Sequence, residues 1–278
     1  GHGVAATRRA VKLLREAGFK IHAHWMPNLY GATVESDLAD YAKLFDDPDF
    51  RPDELKIYPC SLIESAELMQ PYQRGEWHPY TYDELLSLLT ACFLKTPPYC
   101  RLTRVIRDIP GTDIVDGNKA TNFRQIVDQE LTRRGQSSQD IRAREIRNER
   151  VDIETLTLDE MHYETSVGDE NFLQMITPDG RIAAFLRLSL PPESTIPELA
   201  GAGIIREVHV YGQTLDLGES IPGRAQHQGL GQRLIERAAE IAREAGYARL
   251  SVISAVGTRA YYRKRGFVDG TLYQTRTL

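Results

Sequence analysis

Residues 226–231 read Gln-His-Gln-Gly-Leu-Gly and run without a break into residues 232–246, QRLIERAAEIAREAG. Glycines at 229 and 231, placed where a helix begins, let the backbone approach a ligand closely. The free amides and dipole of a helix start favour an anion there. Leu234, Ala238, Ile241 and Ala245 fall roughly on one face of that helix, toward a core, and Gly246 ends it. A dinucleotide fingerprint needs a third glycine where Leu234 stands. A P-loop needs Lys and Ser/Thr where Gln232 and Arg233 follow Gly231. What remains is a tight loop whose amides would hold a pyrophosphate.

The sequence around this loop reads as β structure. From Val151 the stretch VDIETLTLDE alternates, and residues 171–190 read as two strands joined by a Pro-Asp-Gly turn. IIREVHVYG (204–212) is a further strand before the loop. ARLSVIS (248–254) and TRAYYRKRGF (258–267) follow the helix as a strand and a short helix.

Upstream, helix and strand alternate. Val4, Val11, Leu14 and Ala17 share a helical face, with Gly18 as the stop. FKIHAHWMP (19–27) is a strand, ESDLADYAKLF a helix, LKIYPCSLI (55–63) a strand, and TYDELLSLLTACFLKT (81–96) a helix capped by Thr81 or Asp83. This alternation means βα units and a parallel sheet. The visible units are too few to close a barrel, so residues 1–98 read as the last part of a larger α/β unit. Between the halves, residues 99–150 are rich in arginine. Arg101, Arg104 and Arg107 share one strand-like stretch. Arg133, Arg134, Arg142, Arg144, Arg147 and Arg150 face only three acids in residues 131–150. A solvated linker is the plain reading of this run, and a phosphate-binding surface the functional one.

Composition bounds the rest. The 278 residues are 41% hydrophobic and 26% charged with a formal charge of −5, as expected of a soluble protein of two units. No apolar run approaches the ~20 residues that span a bilayer. The amphipathic start is no signal peptide. Cys60, Cys92 and Cys100, odd in number and without metal-ligand spacing, point to a reducing, cytoplasmic setting. His22 and His24 share a strand face, read as a barrel-interior pair rather than metal ligands. Lys56 and Tyr58 lie at a strand end, where parallel-barrel chemistry sits.

Strand REVHVYG, loop QHQGLG and YYRKRGF together resemble the acyl-CoA site of GCN5-related N-acetyltransferases (GNAT). With DDPDFRPDELKIYP, RVIRDIP and VISAVGTRAYYRKRGF, the chain resembles over nearly its whole length the Elongator catalytic-subunit family in its bacterial or archaeal form. The resemblance implies an α/β fold: the C-terminal part of a radical S-adenosylmethionine (SAM) barrel over residues 1–98, a basic linker over 99–150, and a GNAT-like domain over 151–278. It implies acetyl-CoA as ligand and tRNA as partner through its anticodon stem-loop, with carboxymethyl formation at carbon 5 of the wobble uridine. No membrane is involved, and further Elongator-type subunits are expected only in a eukaryotic setting. SAM and a 4Fe-4S cluster belong to the full-length parent, because none of the three cysteines matches the cluster ligands. Many relatives carry a C-x-C-x-x-C-R-E run that binds zinc. Ser138, Asp140 and Ala143 stand at those cysteines, so no metal is expected.

Carried onto this sequence, Gly229, Leu230, Gly231 and Gln232 present amides to the CoA pyrophosphate, and Gln226 shapes the loop. Glu207, Val208, His209 and Val210 line the pantetheine and thioester. Tyr262 is the favoured proton donor to the departing thiolate, with Tyr261 as the alternative. Glu207 is the candidate base, and the six arginines from Arg133 to Arg150 are the RNA-binding set. Two other readings share the sequence: a protein lysine acetyltransferase using the same site, and a non-catalytic tRNA-binding fragment.

Overall fold

A computed structural model describes residues 1–106, 109–147, 149, 151–211 and 229–278. The chain forms two compact units, Gly1–Ile21 with Arg144–Leu278, and His22–Ala143. The boundaries differ from the sequence division. The first 21 residues join the C-terminal unit, and residues 99–143 are built into the other rather than linking the two.

In the C-terminal unit, α1 (Val4–Glu16) brings one buried residue, Arg15, to the interior. Of the four residues that share a helical face, Val4 and Leu14 are exposed, at 63% and 44%, and Val11 and Ala17 are half-buried. A charge, not an apolar stripe, anchors this helix.

In the His22–Ala143 unit, β1 (His22–Trp25), α2 (Val34–Asp46), β2 (Glu54–Ile57), β3 (Leu62–Ile63), α3 (Met69–Gln73), α4 (Tyr82–Lys95), β4 (Arg101–Val105), β5 (Ile114–Asp116) and α5 (Phe123–Arg133) follow one another, and α6 (Ile141–Arg144) reaches its end. β1, β2 and β4 make the expected parallel sheet. β2 buries alternate residues, Leu55 and Ile57, as a period of two requires, whereas Leu102 and Val105 of β4 are three apart because the β2/β4 register shifts past Thr103. Thr81 is the cap of α4, closing a capping box with Glu84. The strand expected over 55–63 is two strands. Pro59 lacks an N–H for the ladder, and the chain leaves the parallel sheet to pair β3 antiparallel with β5.

The C-terminal unit continues with β6 (Thr157–Glu164), β7 (Asp169–Ile176), β8 (Ile182–Leu190), β9 (Ala202–Val210), α7 (Leu230–Glu244), β10 (Arg249–Val252), α8 (Arg259–Arg263), β11 (Val268–Asp269) and β12 (Gln274–Thr277). Its seven-stranded sheet runs β11-β12-β10-β9-β8-β7-β6. The Pro-Asp-Gly turn joins β7 to β8, with Gly180 N–H on the Thr177 carbonyl at 2.8 Å and a φ of +81° that suits glycine. α7 packs against β7, β8, β9 and β10. It buries Leu230, Leu234, Ile235, Ala238, Ala239 and Ala242. That face is turned slightly from the expected one, leaving Ile241 half-buried and Ala245 exposed. β12, for which the local pattern carries no strand signal, pairs antiparallel with β10.

Candidate functional site

The site is built where β9 parts from β10. The two strands pair in parallel from Ala202/Arg249 to Ile205/Val252, where β10 ends. β9 runs on to Val210 beside β8, and at that point its register slips. Arg187 faces Glu207 and Leu188 faces Ile205, so Arg206 is the inserted residue of a β-bulge. Beyond Ile205, β9 is therefore paired with β8 but not with β10, and the bulge at Arg206 interrupts its ladder there.

α7 begins at Leu230 with Gly229 as its N-cap. Gly229, Leu230, Gly231 and Gln232 thus supply the cap and first turn, whose amides have no partner within the helix. A Cβ added at Gly231 would lie 2.3 Å from the Tyr261 hydroxyl and 3.5 Å from Val210 Cγ2. The close contact is with the Tyr261 hydroxyl; the end of β9, at Val210, is at ordinary van der Waals distance. Gln226, like Arg107 and Arg150, lies outside the described residues.

The two tyrosines do different things. Tyr262 is buried at 7% exposure, edge-on to Phe267 with ring centroids 5.6 Å apart. Burial, with the neighbouring Tyr261, pushes its hydroxyl up to about 12. Tyr261 is half-buried, and burial raises its hydroxyl too. The Arg265 guanidinium lies over its ring, 3.3 Å from the centroid.

Among the pantetheine-lining candidates, Glu207 is held by two cations, Arg187 Nε at 2.9 Å and Lys20 Nζ at 3.2 Å. His209 stacks on Phe185 at 5.4 Å and lies 4.4 Å from Tyr211. Val208 and Val210 are half-buried.

The arginine run divides by what each side chain touches. Arg133 and Arg134 share Glu130, each at 2.7 Å. Arg142 donates to the Thr103 carbonyl. Arg144 donates to Gln174 Oε1 at 3.0 Å, and Gln174 in turn donates to Asp159 at 2.6 Å. Arg133 and Arg147 present the most open side chains, at 72% and 71%.

At the cysteine-equivalent run, Asp140 is fully buried and works as a hub. It accepts from Leu102 N at 3.1 Å, Arg124 Nη2 at 2.9 Å and Ser138 Oγ at 2.8 Å. Its carboxylate oxygens are thus committed to protein donors. Among the described residues no group of three His, Cys, Asp or Glu side chains is placed to hold a metal. Burial raises the thiols of Cys60 and Cys92, the wrong direction for thiolate ligands. These cysteines do not fit a 4Fe-4S cluster. His22 and His24 lie 5.7 Å apart, and His22 Nε2 is 3.1 Å from Thr103 Oγ1. His24 meets Tyr58 edge-on at 5.4 Å.

The buried charges Arg15, Glu170, Arg187 and Arg206 are additions to the expected site residues. For Arg187 and Arg206 the signal in the sequence is a charged residue inside an apolar run, AFLRLSL and IIREV, whereas Glu170, between Asp169 and Asn171, carries no such signal.

Fold and site together define a radical SAM C-terminal unit joined to an acetyltransferase unit. A radical SAM C-terminal domain family model matches residues 52–133, and an acetyltransferase (GNAT) family model matches residues 139–267. The tRNA uridine(34) acetyltransferase of Dehalococcoides mccartyi is 40% identical over 276 residues, covering 96% of this chain and 60% of that protein. The protein of that name from Methanocaldococcus jannaschii is 36% identical, covering 96% of this chain and 51% of its own length. The solved structure of the archaeal Methanocaldococcus infernus Elp3 with an N-terminal deletion matches all of this chain and 68% of its own at a TM-score of 0.91, with 34% identity. The chain belongs to the Elp3 family. It spans between 51% and 60% of the length of the two curated relatives. Among the described residues no helix is long and apolar enough to cross a membrane.

Proposed function

We propose that the C-terminal unit binds acetyl-CoA, and that the complete protein uses it to modify carbon 5 of the wobble uridine in tRNA, forming a carboxymethyl group in the cytoplasm. The observation that carries this reading is the parting of β9 and β10 at Ile205/Val252 beside a helix start where the glycine at 231 leaves room for the Tyr261 hydroxyl. The amides of residues 229–232 hold the pyrophosphate, and the Arg206 bulge with Val208 and Val210 lines the pantetheine. Bound acetyl-CoA supplies an activated acyl thioester. Tyr262 keeps its proton through neutral pH and can protonate a departing thiolate. Glu207 is ion-paired with Arg187 and Lys20, which suits it to fixing β9 and makes a role as base the weaker one.

The radical step that the family implies draws on cluster ligands other than the cysteines of this chain. The names of the relatives favour tRNA uridine over protein lysine as acceptor. Arg133 and Arg147, the open members of the arginine run, are the proposed partners of tRNA phosphates.

Equilibrium binding of a non-hydrolysable acetyl-CoA analogue tests the site. Gly231→Glu sets a side chain and a negative charge against the pyrophosphate, and binding should be abolished. Equal affinity in parent and variant would remove the loop assignment. Acetyl transfer to a lysine peptide, with no response to tRNA, would favour the protein acetyltransferase instead.

A further inference from the structure

Gly231 and Tyr261 are fitted to each other. Of the atoms near a Cβ at position 231, the Tyr261 hydroxyl is the one in conflict, at 2.3 Å. Tyr261 Cζ and Val210 Cγ2, each at 3.5 Å, are at ordinary van der Waals distance. The conflict therefore belongs to one oxygen and not to the ring. Two neighbours contact that ring. The Arg265 guanidinium lies over it, and Arg265 Nη1 donates to the Tyr261 carbonyl at 2.7 Å. Tyr262 meets it edge-on at 5.3 Å. Among the described residues the Tyr261 hydroxyl has no hydrogen-bond partner, although it sits where the last residue of β9 meets the first turn of α7.

Position along β9 separates this hydroxyl from the bulge. The bulge at Arg206 lies four residues before Val210, roughly 13 Å at the ~3.3 Å rise of a strand. The phenol beside Val210 thus lies well along the strand from the bulge and next to Gly231, in the helix start read above as the pyrophosphate cradle.

We propose that Tyr261 is a positioning residue at the phosphate end of the acyl-CoA site. Its hydroxyl donates to an oxygen of the pyrophosphate, and the glycine at 231 makes room for it. This rests on the acyl-CoA reading above and assigns Tyr261 a role separate from thiolate protonation. The raised hydroxyl remains a donor at neutral pH, with Arg265 the opposing charge on it.

The test is calorimetric binding of CoA, and of pantetheine as a ligand without phosphate, to the whole chain. Four proteins are compared: parent, Tyr261→Phe, Gly231→Ala and the double variant, each checked for folding by circular dichroism. Tyr261→Phe should weaken CoA binding about 10-fold or more, the size of one hydrogen bond to a charged group, and leave pantetheine unaffected. Gly231→Ala should weaken CoA further. Adding Tyr261→Phe to it should restore binding to the level of Tyr261→Phe alone. The proposal is overturned if Tyr261→Phe binds CoA as the parent does, if it weakens pantetheine equally, or if the folded double variant is no better than Gly231→Ala. Should Gly231→Ala not fold, the CoA and pantetheine results with Tyr261→Phe decide alone. A parent that binds no CoA removes the acyl-CoA reading and this proposal together. A parent that binds, with an indifferent Tyr261→Phe, removes this proposal only.

Discussion

Arg206 grips Glu170 through two nitrogens, Nε at 3.0 Å and Nη2 at 2.8 Å from the same carboxylate oxygen, with both residues buried. Its remaining nitrogen donates to the Phe19 carbonyl at 3.1 Å, and Arg15 of α1 approaches the other oxygen of Glu170 at 3.4 Å. The inserted residue of the β9 bulge is thus tied to β7 and to the chain that follows α1. One carboxylate answers two buried guanidinium groups, so removing its charge weakens both ion pairs at once.

Glu170→Gln is therefore expected to destabilise the C-terminal unit by about 3–5 kcal/mol, the usual cost of breaking a buried pair. Urea unfolding followed by circular dichroism reads this directly. An unchanged midpoint would mean that the cluster is not what holds α1 and the bulge together.

Tyr262 gives a pH dependence with a definite sign. Its hydroxyl is raised from an ordinary 10 to about 12 by burial, so between those values the unfolded chain has given up the proton and the folded chain still holds it. The stabilisation is complete below pH 10 and disappears as pH rises toward 12, by about 2–3 kcal/mol in all. Tyr262→Phe should flatten that part of the stability profile. It should also slow thioester cleavage by on the order of 10²–10⁴ while CoA still binds. Parallel alkaline profiles in parent and variant would show that Tyr262 does not titrate in this way.

The arginine run should separate into two kinds of variant. Charge reversal at Arg133 and Arg147, the open side chains, is expected to weaken tRNA binding and flatten its dependence on salt, by up to about 0.9 in log–log slope for each phosphate no longer neutralised. Arg142→Gln and Arg144→Gln, which remove donors to Thr103 and Gln174, should act chiefly on thermal stability. Filter binding of an anticodon stem-loop at several salt concentrations, beside thermal melts, tells the two apart. A salt slope that does not change at Arg133 and Arg147 would move the RNA surface elsewhere.

Local chemistry made much of the fold legible. The Pro-Asp-Gly turn, the Thr81 cap and the period-two burial of β2 each depend on neighbours within a few residues, and each is present in the structure. The glycine loop placed the start of α7 for the same reason. The strand over 55–63 split because one proline outweighed a β-rich run, a local effect that hydrophobic pattern alone conceals.

What residue types and spacing determined by themselves was the two-part architecture and the pairing of a glycine loop with a strand and YYRKRGF, while the family was legible as a resemblance of whole motifs. What only the tertiary structure decided was where charges and hydroxyls lie. Helical periodicity set α1 to bury an apolar stripe, yet it buries Arg15, because Glu170 arrives from β7, far away in sequence. Neighbouring tyrosines look alike in sequence. One packs on Phe267 and the other reaches Gly231, since helix placement against β9 and α7 sets which oxygen points where. Buried ion pairs and close approaches join residues 30 to more than 150 positions apart, and no window of local sequence contains both partners.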